Sequence, residues 1–449
     1  MDKNIRIAII GGGPAGLSAG MYLEQKGYEN YVIYEKSDHV GGKCHSPFHN
    51  GKRYEMGAIM GVPSYYAVHD IEVFAGITHD GPALNRDYQK PNGKMDHQFS
   101  TKRIWNLPHL LKLKKQIEKF GEILRADYKG YDICGHRGVS EGRYEGYAVA
   151  EDRHHVEGEN PKLKDLCMTF KDFTDKLGVP LVREVWIQPF TSFGYGYFDE
   201  IPAAYVLKYL DFQTMMNFMH VNLWTWKDGT QSIYEALNAK LKHPALLEQN
   251  IEKVVRSEEG VVLTVNGKEE KFDKLIVTAP LQYFPEYADA DEEEKELFSK
   301  IDYERYDTMA FLTNPENYPD RSRYIVDYMT PETLGHVMVY YHRWPESDQP
   351  LVTYVLRKHK NSKELDYEAT KEQVKKDMAA LGCPMKEIIN EGKWYYFPHV
   401  FAEDYAAGWY EKVEAKQGNH STYYAGEIMA FGDMDETVEY SRDLIERFF

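Results

Sequence analysis

The stretch Ile5-Arg6-Ile7-Ala8-Ile9-Ile10-Gly11-Gly12-Gly13-Pro14-Ala15-Gly16 decides how the chain is read. An apolar strand runs into a glycine turn, and helical spacing then continues to Gly27. A second apolar run, Tyr31-Val32-Ile33-Tyr34, ends at Glu35. Strand, glycine turn, helix, strand and acid, in that order, make a dinucleotide-binding unit. Gly11 permits the tight turn out of the strand. Gly13 lets backbone approach a pyrophosphate, and Gly16 lets the helix pack closely on the sheet. Pro14 and Ala15 open the helix, whose N–H groups and positive dipole end serve the phosphates. Glu35 can accept from a ribose hydroxyl and lies 24 residues after Gly11 (35 − 11), close to the spacing of the motif. An ordinary βαβ glycine turn is the alternative, and it leaves Glu35 unexplained.

The residues after Glu35 narrow the ligand. Lys36 comes first, and Asp38-His39-Val40-Gly41-Gly42-Lys43 brings a second glycine pair followed by a base. This doublet resembles that of flavoproteins in the amine-oxidase and glutathione-reductase group, which favours FAD over NAD. Next comes Gly57-Ala58-Ile59-Met60-Gly61, whose small residues suggest backbone passing close to something flat. Ala58, Ile59 and Met60 are therefore cofactor candidates, against a plain glycine-rich connection in the sheet. His45 is read as a hydrogen-bonding spacer rather than a base.

Composition sets the outer bounds. At 449 residues two or three domains are expected. The net charge, 54 − 71 = −17, argues against a nucleic-acid partner. The four cysteines, Cys44, Cys134, Cys167 and Cys383, are scattered and form no CxxC pair. They read as free thiols in a reducing compartment, and no metal site is expected. No signal peptide is recognised and no apolar run of about 18 residues occurs. The expectation is a soluble, cytoplasmic protein. The 35 tyrosines suit an apolar pocket with polar handles, although most belong in the core.

Further along, Asp80-Gly81-Pro82 is a turn and Arg86 follows it. Residues 104–128 have helical spacing through Leu110, Leu113, Ile117, Phe120 and Leu124. The same helix carries Lys112, Lys114, Lys115 and Lys119. That face is either solvated or a peripheral contact with anionic lipid. Residues 132–162 read as a polar surface excursion, and 163–178 resume helical spacing. The run Trp186–Phe198 mixes aromatics and glycines and fits neither period. From Pro202 one apolar helix is expected through Met219, either core or the wall of a pocket. Strands are expected at Ile251–Arg256, Val261–Val265 and Phe272–Ala279, with hairpin turns at Gly260 and Asn266-Gly267. Further strands at 308–313, 335–342, 351–357 and around Trp394–Phe397, with an acidic helix at 365–381, suggest a mostly antiparallel second sheet. The chain closes with Tyr423–Glu427, Phe431–Asp435 and a final helix.

Several long runs resemble the FAD-dependent polyunsaturated fatty acid isomerases of the flavin amine-oxidase superfamily. They include Tyr54-Glu55-Met56-Gly57-Ala58-Ile59-Met60-Gly61-Val62-Pro63, Trp186–Phe218 and Leu334–Trp344, and the likeness extends from Ile7 to Phe449. The resemblance implies an α/β fold: a discontinuous Rossmann-like FAD domain of amine-oxidase type, an antiparallel-sheet substrate domain and a helical cap. The corresponding boundaries are 1–75, 222–290 and 415–449 for FAD, 76–103 and 291–414 for substrate, and 104–221 for the cap. It implies that Val254 offers backbone to adenine, that Glu427 bonds the ribityl or pyrophosphate region, and that the helix N-terminus at Met434 faces the flavin.

The activity it implies moves a double bond without net redox. A hydride leaves the carbon between two cis double bonds of a fatty acid and returns at the far end of one of them. From linoleate this gives the trans-10,cis-12 conjugated product or a similar one. Phe193 and Phe218 would bracket the substrate cation with aromatic faces, and Arg86 would hold its carboxylate. The alternative is an FAD-dependent amine or lipid oxidase or desaturase on the same fold. A lipid carrier with structural FAD is a third reading. Oligomeric state is left open.

Overall fold

The computed structural model describes residues 2–128 and 162–449. The surface excursion expected over 132–162 lies, except for Lys162, outside the described residues.

Strand β1 (Ile7–Ile10) is wholly buried and pairs in parallel with β2 (Tyr31–Tyr34) on one side and with Lys274–Val277 on the other. Thr422–Tyr424 completes this four-stranded parallel sheet beyond Lys274–Val277. Unbroken apolar runs such as Ile-Ala-Ile-Ile suit strands covered on both faces. Helix α1 (Pro14–Gln25) joins β1 to β2. It is held against the final helix, Met434–Phe448, where Ser441 Oγ donates to the Ala15 carbonyl at 3.0 Å. The cofactor motif, a segment from mid-chain and the C-terminus thus meet in one sheet.

A three-stranded antiparallel meander, Ile251–Ser257, Gly260–Val265 and Lys268–Phe272, precedes the return to that sheet. The sequence reading merged the third strand with the next and placed it at Phe272–Ala279. The strand it missed, Lys-Glu-Glu-Lys-Phe, has no apolar alternation because most of it is exposed. Its position follows instead from the turn, where Asn266 and Gly267 take φ of 46° and 76°.

The second sheet has seven strands, in the order Glu387–His399, Asp302–Leu312, Leu351–Leu356, Val339–His342, Ser322–Tyr324, Arg86–Gln89 and Met95–Asp96. Every pairing is antiparallel except Ser322–Tyr324 with Arg86–Gln89. The strand carrying Arg86 therefore comes from far upstream in the chain.

The helical part departs from the sequence reading at three breaks. Residues 163–178 divide into a 3-10 stretch, Leu163–Cys167, and a helix, Phe170–Lys176, because Met168 is extended. The run from Pro202 forms two helices, Ala203–Tyr209 and Phe212–Met219. Asp211 separates them by capping the second, its side chain accepting from the Thr214 N–H at 2.7 Å. Trp186 to Thr191, read as irregular, lies in the helix Arg183–Thr191 in spite of Pro189. Only after it do Gly194 and Gly196, at φ of 89° and 92°, turn the chain. Among the described residues no helix is long and apolar enough to cross a membrane.

Candidate cofactor and substrate cavity

One cavity of about 790 Å³ runs from the C-terminal ends of β1 and β2 to the helices Ala203–Tyr209 and Phe212–Met219. Gly11, Gly13, Pro14, Ala15, Glu35 and Lys36 line its first end. At Gly11 the chain turns with φ of 113°. The Glu35 carboxylate holds the turn, accepting from the Gly12 N–H at 2.7 Å with one oxygen and from the Ser37 N–H at 2.7 Å with the other. A carboxylate has acceptor capacity beyond two bonds, so a ribose hydroxyl can still be served.

The glycines divide by what surrounds them. A Cβ on Gly16 would stand 1.9 Å from the Gly11 carbonyl oxygen, so this position closes α1 onto the turn. Gly16 does its work behind the cavity wall and does not line it. A Cβ on Gly13 would meet nothing nearer than the Gly42 Cα at 3.7 Å. The protein itself does not require glycine there, but a ligand lying close against the backbone does. Gly13 also caps α1 without any side-chain acceptor, so the first N–H groups are left for an anion. These features fit a dinucleotide's pyrophosphate.

Val254, expected to offer backbone to adenine, does not line the cavity. It is buried within the meander, and its carbonyl accepts from the Asp289 N–H at 3.3 Å. Gln249, Asn250 and Ile251 line the cavity instead. Only the start of that strand reaches the opening, three residues before the predicted contact.

Further in, Gly42, Lys43, Ala58, Ile59 and Met60 line the wall, together with Glu427 and Met434 of the C-terminal segment. The Lys43 ammonium pairs with the Glu427 carboxylate and lies 4.7 Å from the centre of the Tyr396 ring. Burial lowers the Lys43 pKa and raises that of Glu427, each partly offset by the other's charge. Glu427 thus faces the cavity already engaged on one oxygen.

The N-terminus of the Met434–Phe448 helix also reaches the cavity, with an added group. Asp433 caps it, one oxygen accepting from the Asp435 and Glu436 N–H groups at 2.8 and 3.1 Å. Burial, with Glu436 nearby, pushes this carboxyl up to about 7. The helix N-terminus expected to face the flavin thus carries a titratable acid at its cap, which takes up two of the free donors.

The far end is aromatic. Tyr195 stacks between Phe397 (3.5 Å between ring centres, 4° between planes) and Tyr209 (4.1 Å, 16°). Its hydroxyl donates to the Gly432 carbonyl at 3.1 Å. Phe218 meets Tyr209 edge-on at 6.3 Å, and both Phe193 and Phe218 line the cavity. Tyr306 closes the wall, donating from its hydroxyl to the Ser192 carbonyl at 2.8 Å. A Cβ on Gly194 would stand 2.7 Å from the Tyr306 ring, so the turn after Phe193 must be glycine. Burial holds the Tyr195, Tyr209, Tyr306 and Tyr396 phenols well above their ordinary values. The wall therefore stays neutral.

Arg86 lines a smaller recess that shares Ile59, Met60, Phe193 and Tyr354 with the main cavity. Its guanidinium donates to the Phe218 carbonyl at 2.7 Å and lies 5.7 Å from the Tyr324 ring centre. Sequence reasoning missed Tyr65, Tyr195, Tyr209, Tyr306 and Asp433. No spacing signals them, since they come from separate segments that only folding brings together.

Outside the cavity, Asp435, Glu436 and Glu439 place carboxylate oxygens within 4.8 Å of one another. Lys208 pairs with Glu436 at 2.9 Å and Arg442 with Glu439 at 3.5 Å, as in an ion-pair cluster.

The family model of flavin-containing amine oxidoreductases matches residues 14–422. The chain belongs to this family. Its cofactor is FAD, and the residues lining the first end of the cavity fit a dinucleotide. The crystal structure of a CLA-producing fatty acid isomerase from P. acnes matches with a TM-score of 0.91 and 46% identity, covering 100% of both chains. Putrescine oxidase bound to putrescine shares the fold at a TM-score of 0.68 and 14% identity, over 99% of this chain and 98% of that one. Among curated relatives, the polyenoic fatty acid isomerase of Ptilota filicina is 34% identical over 213 residues, 46% of this chain and 41% of that protein. Polyamine oxidase 7 of Oryza sativa subsp. japonica is 31% identical over 129 residues, 27% of this chain and 26% of that protein. The matches to these two curated relatives thus span well under half of their length.

Proposed function

We propose that this flavin amine oxidoreductase is an isomerase of polyunsaturated fatty acids, moving a cis double bond into conjugation with its neighbour. One observation carries the reading. Phe193 and Phe218 share an apolar cavity with the cofactor cradle, and Arg86 opens onto the adjoining recess, in a chain alike end to end with a CLA-producing isomerase. Bound FAD supplies a reversible two-electron hydride acceptor.

The chain's own residues do the rest. The aromatic wall excludes water from the substrate cation, which water would otherwise trap as an alcohol. The faces of Phe193 and Phe218 attract its positive charge. The buried phenols, held protonated, offer no phenolate to take a proton from the cation and divert it to a triene. Arg86 pairs with the substrate carboxylate, exchanging its bond to the Phe218 carbonyl for a charge-assisted one. This fixes which double bond is presented, and with linoleate we assign the trans-10,cis-12 product. We also propose the three-part division into FAD segments 1–75, 222–290 and 415–449, substrate segments 76–103 and 291–414, and a cap over 104–221, with a cytoplasmic place of action.

The test is anaerobic incubation of the holoenzyme with linoleate. The expected result is the ultraviolet band of a conjugated diene, with the flavin oxidised at the end. Flavin left reduced without diene, or oxygen consumed and peroxide released in air, gives the chain to an amine or lipid oxidase. Tight fatty acid binding without turnover makes it a carrier.

A further inference from the structure

The helix Leu107–Asp127 carries apolar side chains on two opposed faces. Leu113, Ile117, Phe120 and Leu124 form the buried one, packed into the core. Leu107 and Leu111 point the other way, and with Ile104 and Trp105 of the preceding 3-10 turn they stand exposed, Ile104 by 75% and Trp105 by 68%. Among the described residues nothing covers these four large apolar side chains, and such a patch at one helix end marks a contact surface.

Their surroundings carry one sign of charge. From residue 97 to residue 117 the sequence has no Asp or Glu, while Lys102, Arg103, Lys112, Lys114 and Lys115 fall within it, in a chain of net charge −17. All but Arg103 are exposed, and the Arg103 guanidinium sits 5.3 Å from the Trp105 ring centre. Two acids meet this segment and both are engaged: Glu184 accepts from His109 at 2.7 Å, and Glu118 pairs with Lys114 at 3.8 Å.

We propose that this helix end docks on an anionic phospholipid surface, with Ile104, Trp105, Leu107 and Leu111 entering the headgroup boundary and the lysines reaching lipid phosphates. Trp and Leu flanked by snorkelling Lys is the composition an interfacial segment needs. A second copy of the chain fits worse, since a two-fold contact would set this cationic patch against itself. The patch is continuous in the chain with Arg86–Gln89, and Phe99 packs on Tyr88 at 5.0 Å, which ties it to the strand bearing Arg86. Docking here would let the enzyme take its acid from the bilayer. That purpose rests on the proposed fatty acid substrate, whereas the contact itself does not.

The experiment is co-sedimentation of the FAD-loaded enzyme with vesicles of phosphatidylglycerol or of phosphatidylcholine alone, free of fatty acid. Binding to phosphatidylglycerol vesicles that weakens as salt is raised is expected. Replacing Lys112, Lys114 and Lys115 by Ser lowers it about fivefold per lysine, and Leu107→Gln with Leu111→Gln removes most of what remains. Absence of binding, equal binding by wild type and both variants, or a dimer in gel filtration that Leu107→Gln with Leu111→Gln abolishes would overturn the proposal. None of these outcomes touches the isomerase reading, which the diene assay decides separately.

Discussion

The two ends of the cavity are built from different material. At the nucleotide end backbone does the work: a turn at Gly11, a Cβ-free approach at Gly13 and uncapped N–H groups at the start of α1. At the far end side chains do it: Tyr195, Tyr209, Phe193, Phe218, Tyr306 and Phe397, drawn from the helical segment 183–219 and the large sheet. A backbone site is strict about glycine and takes its ligand by hydrogen bonds that any dinucleotide satisfies. A site of ring faces is strict about shape and polarity, so it sets the substrate.

The sharpest break of this contrast lies within the glycine end. Gly16→Ala is expected to cost both fold and flavin, because its Cβ meets a carbonyl oxygen at 1.9 Å. Gly13→Ala is expected to keep the fold and lose flavin affinity, since no protein atom comes nearer than 3.7 Å to the added Cβ. Thermal melts of flavin-free protein, set beside flavin absorbance per chain, separate the two. If Gly13→Ala melts as low as Gly16→Ala, the division by steric cause is wrong.

At the aromatic end, Phe218→Leu and Phe193→Leu preserve apolar volume and remove the ring face. Turnover is expected to fall about tenfold for each, with flavin retained at the wild-type level. Unchanged turnover in either variant would take that ring out of the site. Arg86→Ala should reduce the preference for free acid over methyl ester by roughly tenfold, the worth of one charged hydrogen bond, leaving the ester rate almost untouched. A wild type that accepts both equally would dismiss the carboxylate anchor.

The last test is at Asp433, between the two ends, and reads stability rather than turnover. Its carboxyl is raised to about 7 from an ordinary value of 3.8. The folded, flavin-free protein therefore binds a proton there that the unfolded chain has already lost at pH 5 to 6. Its stability should fall as pH rises from about 4 through about 7, then level off. Asp433→Asn keeps an acceptor oxygen for the helix cap and should flatten that slope. A parallel slope in the variant would place the titration elsewhere.

How much of this was legible in sequence obeys the same division. The strand, glycine turn, helix and acid of residues 5–35 could be read directly, because each of their jobs is local and leaves a local mark. The charged strand Lys268–Phe272 was missed because an exposed strand has no apolar rhythm. The break at Asp211 was missed because a cap can interrupt an apolar run that otherwise keeps its spacing. That Gln249, Asn250 and Ile251 line the cavity while Val254 does not was illegible, because which end of a strand reaches an opening depends on how it sits against its neighbours. Resemblance to the isomerases named Arg86, Phe193 and Phe218, which no periodicity could have done.

The sequence by itself determined the dinucleotide unit, since φ above zero, a missing Cβ and an uncapped helix are properties of individual residues. Only the tertiary structure decided the stack of Tyr195 on Phe397 and Tyr209, the meeting of Lys43 with Glu427 and the elevated proton affinity of Asp433. Those depend on burial and on distances between residues far apart in the chain, which no local pattern encodes.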